Sequence, residues 1–219
     1  MTASMIERPV RRSSALYLAI IFTALFAILT AIVMSNETSA LDRELILSLR
    51  SEATPILTTM LLAVTFISGR LAIPAAILFF AAVYRRIGAR ASAYYAGACI
   101  TAEALNAIIK HEVARVRPHG VSPRLTAAGG FSYPSADAML AVVIFGLGTL
   151  MLTWTIRDRR VRAAAIGVAA LFIVLAAVAR VYLGAHWPTD VLGGALAGTA
   201  CAAFWVVALD RAPGVPTAP

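Results

Sequence analysis

Uncharged apolar runs separated by arginine-bearing breaks make up most of this chain. Ala15 to Met34 is an uncharged run of 20 residues, long enough to cross a bilayer as a helix. It follows Arg8, Arg11 and Arg12 and exceeds the roughly 7 to 15 apolar residues of a signal peptide, so it reads as a first span. In the polar connection Ser35 to Pro55, Leu41, Leu45, Ile46 and Leu49 recur at helical spacing among Asp42, Arg43, Glu44 and Arg50. That pattern predicts a helix lying along the membrane surface. Gly69-Arg70 then divides Ile56 to Tyr84 into two apolar runs, each shorter than the ~17 residues a span needs. The pattern favours one span from roughly Phe66 to Tyr84, with Arg70 snorkelling at an interface and Ile56 to Thr65 leading into it.

Four further apolar runs follow. Ala91 to Ile109 is read as the third span and carries Glu103 and Asn106 in its interior. It runs into Lys110 to Pro118, and a loop rich in Gly, Ser and Pro extends to Tyr133. Pro134-Ser135 opens the fourth span, Ala138 to Ile156, which Arg157, Arg159, Arg160 and Arg162 close. Ala163 to Ala179 is the fifth span and Val191 to Leu209 the sixth. The fold class is therefore all-α, a polytopic membrane bundle of about six helices. With six spans, the arginine clusters at the N-terminus, at Arg85 to Arg90 and at Arg157 to Arg162 fall on one side, which the positive-inside rule makes cytoplasmic, along with both termini. The end of span three, the start of span four and the loop between spans five and six then share the outer face.

Composition agrees with this layout. Of 219 residues, 60% are hydrophobic and 14% charged, with a mean hydropathy of +0.83; a soluble domain of this size is excluded. The net charge of +8 does not indicate nucleic acid, because the arginines cluster between apolar runs rather than along one soluble face. Cys99 and Cys201 lie inside apolar runs without partner spacing, so neither a disulfide framework nor a metal site is indicated. A single membrane domain, 1–219, is expected, with an N-terminal arm over 1–14 and a disordered proline-bearing tail over 210–219.

The chemistry gathers at the ends of these runs. In Ala179 to Asp190, Arg180 precedes His186 by six residues and Asp190 follows it by four, with Pro188 between. The arrangement suits a phosphate handler, in which Arg180 holds phosphoryl oxygens, His186 is nucleophile or base and Asp190 fixes its tautomer. It also suits a polar helix cap, with Asp190 on first-turn amides. Lys110 is the one lysine beside 18 arginines; with Arg117, seven residues on, it shares a helix face if the helix continues toward Pro118. Glu103, seven residues before Lys110, is placed to pair with it or with Asn106. Pro134 at a helix start leaves free amides to point at an anion, and the Ser135 hydroxyl adds a donor unless it serves as an ordinary cap.

Lys110-x6-Arg117-Pro118, Tyr133-Pro134-Ser135 and Arg180-x5-His186-x3-Asp190 resemble, in order, the three signature motifs of the type 2 phosphatidic acid phosphatase family, which is related to the vanadium haloperoxidases. Tyr182-Leu183-Gly184 and Trp187 to Gly194 add to the likeness, and about 91–209 is the family-like core. The resemblance implies a metal-independent helical membrane enzyme, needing no cofactor, that dephosphorylates lipid phosphates or pyrophosphates through a phosphohistidine. In that scheme His186 is the nucleophile, Asp190 its orienter, and Lys110, Arg117, Ser135 and Arg180 the phosphate ligands.

Two positions depart from the family pattern. Ala179 replaces the serine that usually opens the third motif. More consequentially, the second motif usually reads Pro-Ser-Gly-His, its histidine protonating the leaving group, whereas this chain has Pro134-Ser135-Ala136-Asp137. A carboxyl among three cations becomes more acidic, which makes Asp137 a poor acid at the position of the expected one. Missing general acids typically slow reactions about 10² to 10⁴-fold, and a pyrophosphate bond tolerates the loss better than a monoester. His119, directly after Arg117-Pro118, is a candidate substitute acid, whereas His111 reads as an interfacial side chain. The sequence thus points to an outward-facing phosphatase of the inner (plasma) membrane acting on an isoprenoid or glycerolipid phosphate. The alternatives are a pseudoenzyme that binds lipid phosphate without turnover and, more remotely, a transporter.

Overall fold

The computed structural model describes residues 12–121, 123–126 and 128–211. Most of the expected N-terminal arm and the tail beyond residue 211 lie outside the described residues. Helix α1 (Arg12–Met34) is followed by α2 (Ser39–Ser51), α3 (Pro55–Thr65), a π-helical turn (Phe66–Arg70), α4 (Ala72–Arg86) and α5 (Ala89–Val113). After a long loop, α6 (Ala136–Ala141) passes through a π-helical stretch (Val142–Leu147) into α7 (Gly148–Thr153), and α8 (Arg159–Tyr182) and α9 (Pro188–Arg211) complete the order. Among the described residues there is no strand.

The chain is a multi-pass membrane protein. Ser14–Met34, Ala136–Thr153, Arg159–Tyr182 and Pro188–Arg211 are each long and apolar enough to cross a bilayer, and the bent pair Pro55–Arg70 and Ala72–Arg86 adds a fifth. Helix α5, with 25 residues, reaches about 38 Å at the ordinary helical rise, although Glu103, Asn106 and Lys110 dilute its apolar character. Counting α5, the helices are roughly consistent with the six spans expected, and large side chains such as Ile20, Ile28, Ile73, Leu78, Ile100, Val168 and Leu171 stand exposed on the outside of the bundle, as lipid-facing positions do.

The second span differs from its expectation. Residues Ile56 to Thr65 are not a lead-in but a full helical arm, begun by Pro55 in the first turn and by the Thr54 side chain accepting from the Leu57 amide at 3.1 Å. The arm and α4 meet at 62°. Pro74 in the first turn of α4 explains the break, since it lacks the N–H that would continue the ladder and its ring collides with the preceding turn.

Helix α2 is also turned differently from the expectation. Its buried residues are Asp42 and Ile46, while Leu41, Leu45 and Leu47 are exposed. Ile46 packs with Ala138, Val181 and Val191, so α2 is clamped onto the bundle and carries a carboxylate inward.

Close packing between α9 and α6 sets the site. Without water on the outside, apposition of small residues rather than hydrophobic expulsion holds such helices together. A Cβ on Gly194 would lie 2.4 Å from the Ser135 carbonyl oxygen, and one on Gly198 would lie 2.7 Å from that of Met139. Glycine at both positions lets the Ser135 amide donate to the Asp190 carbonyl at 2.9 Å.

Candidate active site

Helix α8 ends at Tyr182, and the chain turns through Gly184, whose φ of 72° favours glycine. The amides of Ala185 and His186 fold back onto the Arg180 carbonyl at 3.0 and 3.2 Å. Pro188 then starts α9, with Asp190 in its first turn. Asp190 is fully buried, and its Oδ2 accepts from the Trp187 amide at 2.8 Å. Asp190 thus satisfies the amide just ahead of α9 and faces the imidazole.

His186 is 1% exposed. Its Nδ1 lies 3.5 Å from Asp190 Oδ2, beyond a well-formed hydrogen bond, and makes no other bond. On the opposite side, Arg117 Nη1 stands 3.0 Å from Nε2. A guanidinium only donates, so Nε2 carries the lone pair and Nδ1 the proton, directed at the carboxylate. Burial pushes the His186 pKa below its ordinary value, and Asp190 opposes that shift while Arg117 and Lys110 add to it. Once Arg117 Nη1 is drawn off it, the Nε2 lone pair of a neutral imidazole among cations can act as a nucleophile.

Lys110 and Arg117 do not share one continuous helix. Helix α5 stops at Val113, and Ala114 takes up a left-handed conformation with φ 49°, so Arg117 comes from the loop. The two cations still converge: Lys110 Nζ and Arg117 Nη2 both donate to the Phe131 carbonyl, at 3.2 and 3.1 Å. Arg117 also donates to the carbonyls of Ala185 at 2.7 Å and Gly129 at 2.8 Å. Burial, then the nearby Arg180, lowers its pKa from the ordinary arginine value. Glu103 pairs with neither Lys110 nor Asn106; Asn106 Nδ2 instead donates to the Pro134 carbonyl at 3.2 Å.

Ser135 is buried, its Oγ has no partner and it does not cap α6. Arg180 is also buried, and its Nη2 forms an ion pair with Asp137 Oδ2 at 2.8 Å while its Nε is unpartnered. Asp137 in turn rests beside Gly69 at the break of the bent span. His119 is exposed, with Nδ1 3.1 Å from the Arg117 carbonyl. It lines an outer cavity of about 530 Å³ with Arg117, Arg124 and Phe131, and it makes no contact with His186. His111 packs edge-on against Phe131 at 5.8 Å.

Two charged residues that the sequence reading did not single out belong to this cluster. Arg115 Nη1 donates to Asp190 Oδ1 at 2.7 Å, and its Nη2 donates to Asp42 Oδ2 at 2.7 Å. The one available signal was that Arg115 lies two residues before Arg117, inside the first motif. Among the described residues, no group of three or more His, Cys, Asp or Glu side chains is arranged to hold a metal ion.

The family model of the PAP2 superfamily matches residues 91–213, more than half of the chain and the whole stretch carrying Lys110, Arg117, Ser135, Arg180, His186 and Asp190. The chain belongs to the PAP2 superfamily. A solved structure of like fold is the crystal structure of the first transmembrane PAP2 type phosphatidylglycerolphosphate phosphatase from Bacillus subtilis, with a TM-score of 0.79 and 24% sequence identity over 88% of this chain and 94% of that one. At that identity the likeness speaks for a shared transmembrane PAP2 fold. None of the individually curated proteins matches this PAP2 chain.

Proposed function

We propose that this PAP2 protein is a membrane-embedded phosphatase that removes phosphate from a lipid phosphate or lipid pyrophosphate through a phosphohistidine at His186. The observation that carries the reading is the orientation of His186, with Nε2 facing Arg117 at 3.0 Å and Nδ1 facing Asp190 at 3.5 Å. Nε2 attacks phosphorus, the bond to the leaving oxygen breaks, and the leaving group departs with the electron pair. Asp190 offsets the positive charge that forms on the ring. Water then attacks the phosphoryl group and releases inorganic phosphate, and Nε2 regains its lone pair. Lys110, Arg117, Ser135 and Arg180 hold the phosphoryl oxygens, for which Arg117 Nη1 turns from the imidazole to an oxygen. No metal or cofactor enters this scheme.

The Arg180–Asp137 ion pair bears on the substrate. Held as the acceptor of the Arg180 guanidinium at 2.8 Å, the Asp137 carboxylate is not placed to hand a proton to a leaving alkoxide. A lipid pyrophosphate, whose leaving phosphate is stable as an anion, needs no such proton and is the preferred substrate. An apolar groove of about 610 Å³ starts at Gly69, beside Asp137, and runs between α4 and α5 past Ile77, Phe80, Tyr95 and Ile100. It suits a tail that remains in the bilayer. The arginine clusters, read by the positive-inside rule, favour a site on the outer face of the inner membrane, with both termini cytoplasmic.

The test is phosphate release from a panel of lipid monophosphates and pyrophosphates, with acid-labile labelling of His186. Labelled His186 with release favouring pyrophosphates supports the proposal, and the absence of both sinks it. The same ion pair supports a second reading, a protein that binds lipid phosphate without turnover. Vanadate binding without any phosphate release would establish that one.

A further inference from the structure

Two charges are built onto the back of His186: Asp42, from a helix outside the three motifs, and the partly buried Arg115, from within the first. Asp42, from α2, is fully buried. Its Oδ1 accepts from the Thr189 amide at 2.9 Å, and its Oδ2 accepts from the Thr189 hydroxyl at 2.7 Å and from Arg115 Nη2 at 2.7 Å. The other arm of the Arg115 fork donates to Thr189 Oγ1 at 2.8 Å and to Asp190 Oδ1 at 2.7 Å. Arg115 Nη2 also reaches Thr38 Oγ1 at 3.2 Å, and its guanidinium lies 5.5 Å from the Trp187 ring centre. Trp187 is fixed at its far end, where Nε1 donates to the Val116 carbonyl at 2.9 Å.

These contacts form one line of alternating charge, from Asp42 through Arg115 and Asp190 to His186. Asp190 is held on both oxygens, by Arg115 on Oδ1 and by the Trp187 amide on Oδ2, so its carboxylate plane cannot swing away from the imidazole. Stability alone is a poor reason for such an arrangement, because a buried ion pair is often no more stabilising than apolar side chains of the same volume. Moreover, Ile46 already anchors α2 to the bundle.

We propose that Asp42 and Arg115 are positioning residues for the nucleophile: they lock Asp190 and the first turn of α9 so that His186 keeps its proton on Nδ1 and its lone pair on Nε2. Neither touches the phosphoryl group. The proposal rests on the phosphohistidine reading and extends it to a helix outside the three motifs.

The experiment compares the full-length wild type in vesicles with Asp42→Asn, Asp42→Glu, Arg115→Lys, His186→Ala, Asp190→Asn and the Asp42→Asn/Asp190→Asn pair. It measures kcat and KM for lipid pyrophosphate, affinity for inorganic vanadate, and melting temperature. Removing an outer partner that orients a reactive side chain typically costs about 10- to 100-fold. Asp42→Asn and Arg115→Lys lower kcat by about that factor, with KM within about twofold, because Lys110, Arg117, Ser135 and Arg180 are untouched. Vanadate affinity falls with kcat, Asp42→Glu recovers part of both, and in the Asp190→Asn background Asp42→Asn changes nothing further.

A folded Asp42→Asn that retains wild-type kcat and vanadate affinity overturns the inference. So does a loss of activity that only follows the loss of folded protein. If Asp42→Asn does not fold, Arg115→Lys decides by the same criteria. Vanadate binding abolished by His186→Ala but indifferent to Asp42 and Arg115 leaves the phosphohistidine reading intact and removes this one. A wild type that neither binds vanadate nor releases phosphate removes both.

Discussion

Arg180 Nη2 meets Asp137 Oδ2 at 2.8 Å, with the arginine buried and the aspartate partly exposed. The residue at the family's acid position therefore neutralises one of the cations expected to bind phosphate. Removing that negative charge without adding a proton donor separates the two effects. Asp137→Asn is expected to strengthen vanadate binding and lower KM several-fold, about 1 kcal/mol of recovered charge–charge attraction, with little change in kcat on monoesters.

Asp137→His restores a group that donates near neutral pH. On lipid monoesters it is expected to raise kcat by about 10² to 10⁴-fold, the usual worth of a general acid, and on pyrophosphates by much less. Initial rates on matched monoester and pyrophosphate lipids measure the ratio, and equal gains on both would contradict the role assigned to Asp137. His119 is tested in the same series. If it supplied the proton, His119→Ala would abolish monoester activity that Asp137→Ala leaves intact. Its exposed ring, bonded to the Arg117 carbonyl, predicts instead that His119→Ala is nearly silent.

The pH dependence follows from His186. Burial holds its pKa below the ordinary histidine value of 6.5, and the neutral ring is the reactive form. The acid limb of kcat/KM is thus expected below pH 6.5, falling as pH drops through the lowered pKa. Stability follows the same sign. Between the lowered folded pKa and 6.5 the unfolded chain binds the proton and the folded one does not, so stability is full above 6.5 and declines as pH falls. His186→Gln removes this contribution, which melting curves between pH 5 and 8 would reveal as a flatter acid dependence.

The convergence of Lys110, Arg117, Ser135, Arg180, His186 and Asp190 was legible because each lies at the end of an apolar run, and the parity of the runs puts those ends on one face. What the sequence hid was long-range or dihedral. Asp42 stands beside Arg43 and Glu44 on a helix whose pattern reads as a solvated polar face, yet its partner Arg115 is 73 residues away, and no local spacing encodes that. Lys110 and Arg117 share a helix face only if α5 continues toward Pro118, but Ala114 turns left-handed, a choice that no glycine or asparagine announces. The Arg180–Asp137 pair likewise joins two helix ends, each of which reads equally well as a phosphate contact.

Helix contact, and not only side-chain chemistry, holds the site together. A Cβ on Gly194 would meet the Ser135 carbonyl at 2.4 Å and Ala138 Cβ at 3.1 Å, and backbone cannot yield as a flexible side chain does. Gly194→Ala is expected to cost about 1–3 kcal/mol in stability, the range for overpacking. It also separates Ser135 from Asp190, so activity falls further than the folded fraction. Gly167→Ala, in the interior of α8 where nothing lies within 4 Å of the added carbon, is the matched control: it should leave activity unchanged and stability equal or higher by up to about 1 kcal/mol.

The groove beside Asp137 bears on how the substrate is held. Ala76, on α4, lines it opposite Ala96 and Ile100 of α5, and the space is open enough to take a larger side chain without rebuilding the core. Ala76→Phe fills part of the volume a lipid tail would occupy. Long-chain lipid phosphates should then lose about 10-fold in kcat/KM, since a tail expelled from an apolar site forfeits roughly 0.8 kcal/mol per CH₂ no longer buried. A short, water-soluble phosphate, which never reaches the groove, should be hydrolysed at the wild-type rate. Parallel assays with both chain lengths on the same preparation decide the matter: an equal drop on both would mean that the substitution disturbs the bundle, and no drop on either would mean that the tail lies elsewhere.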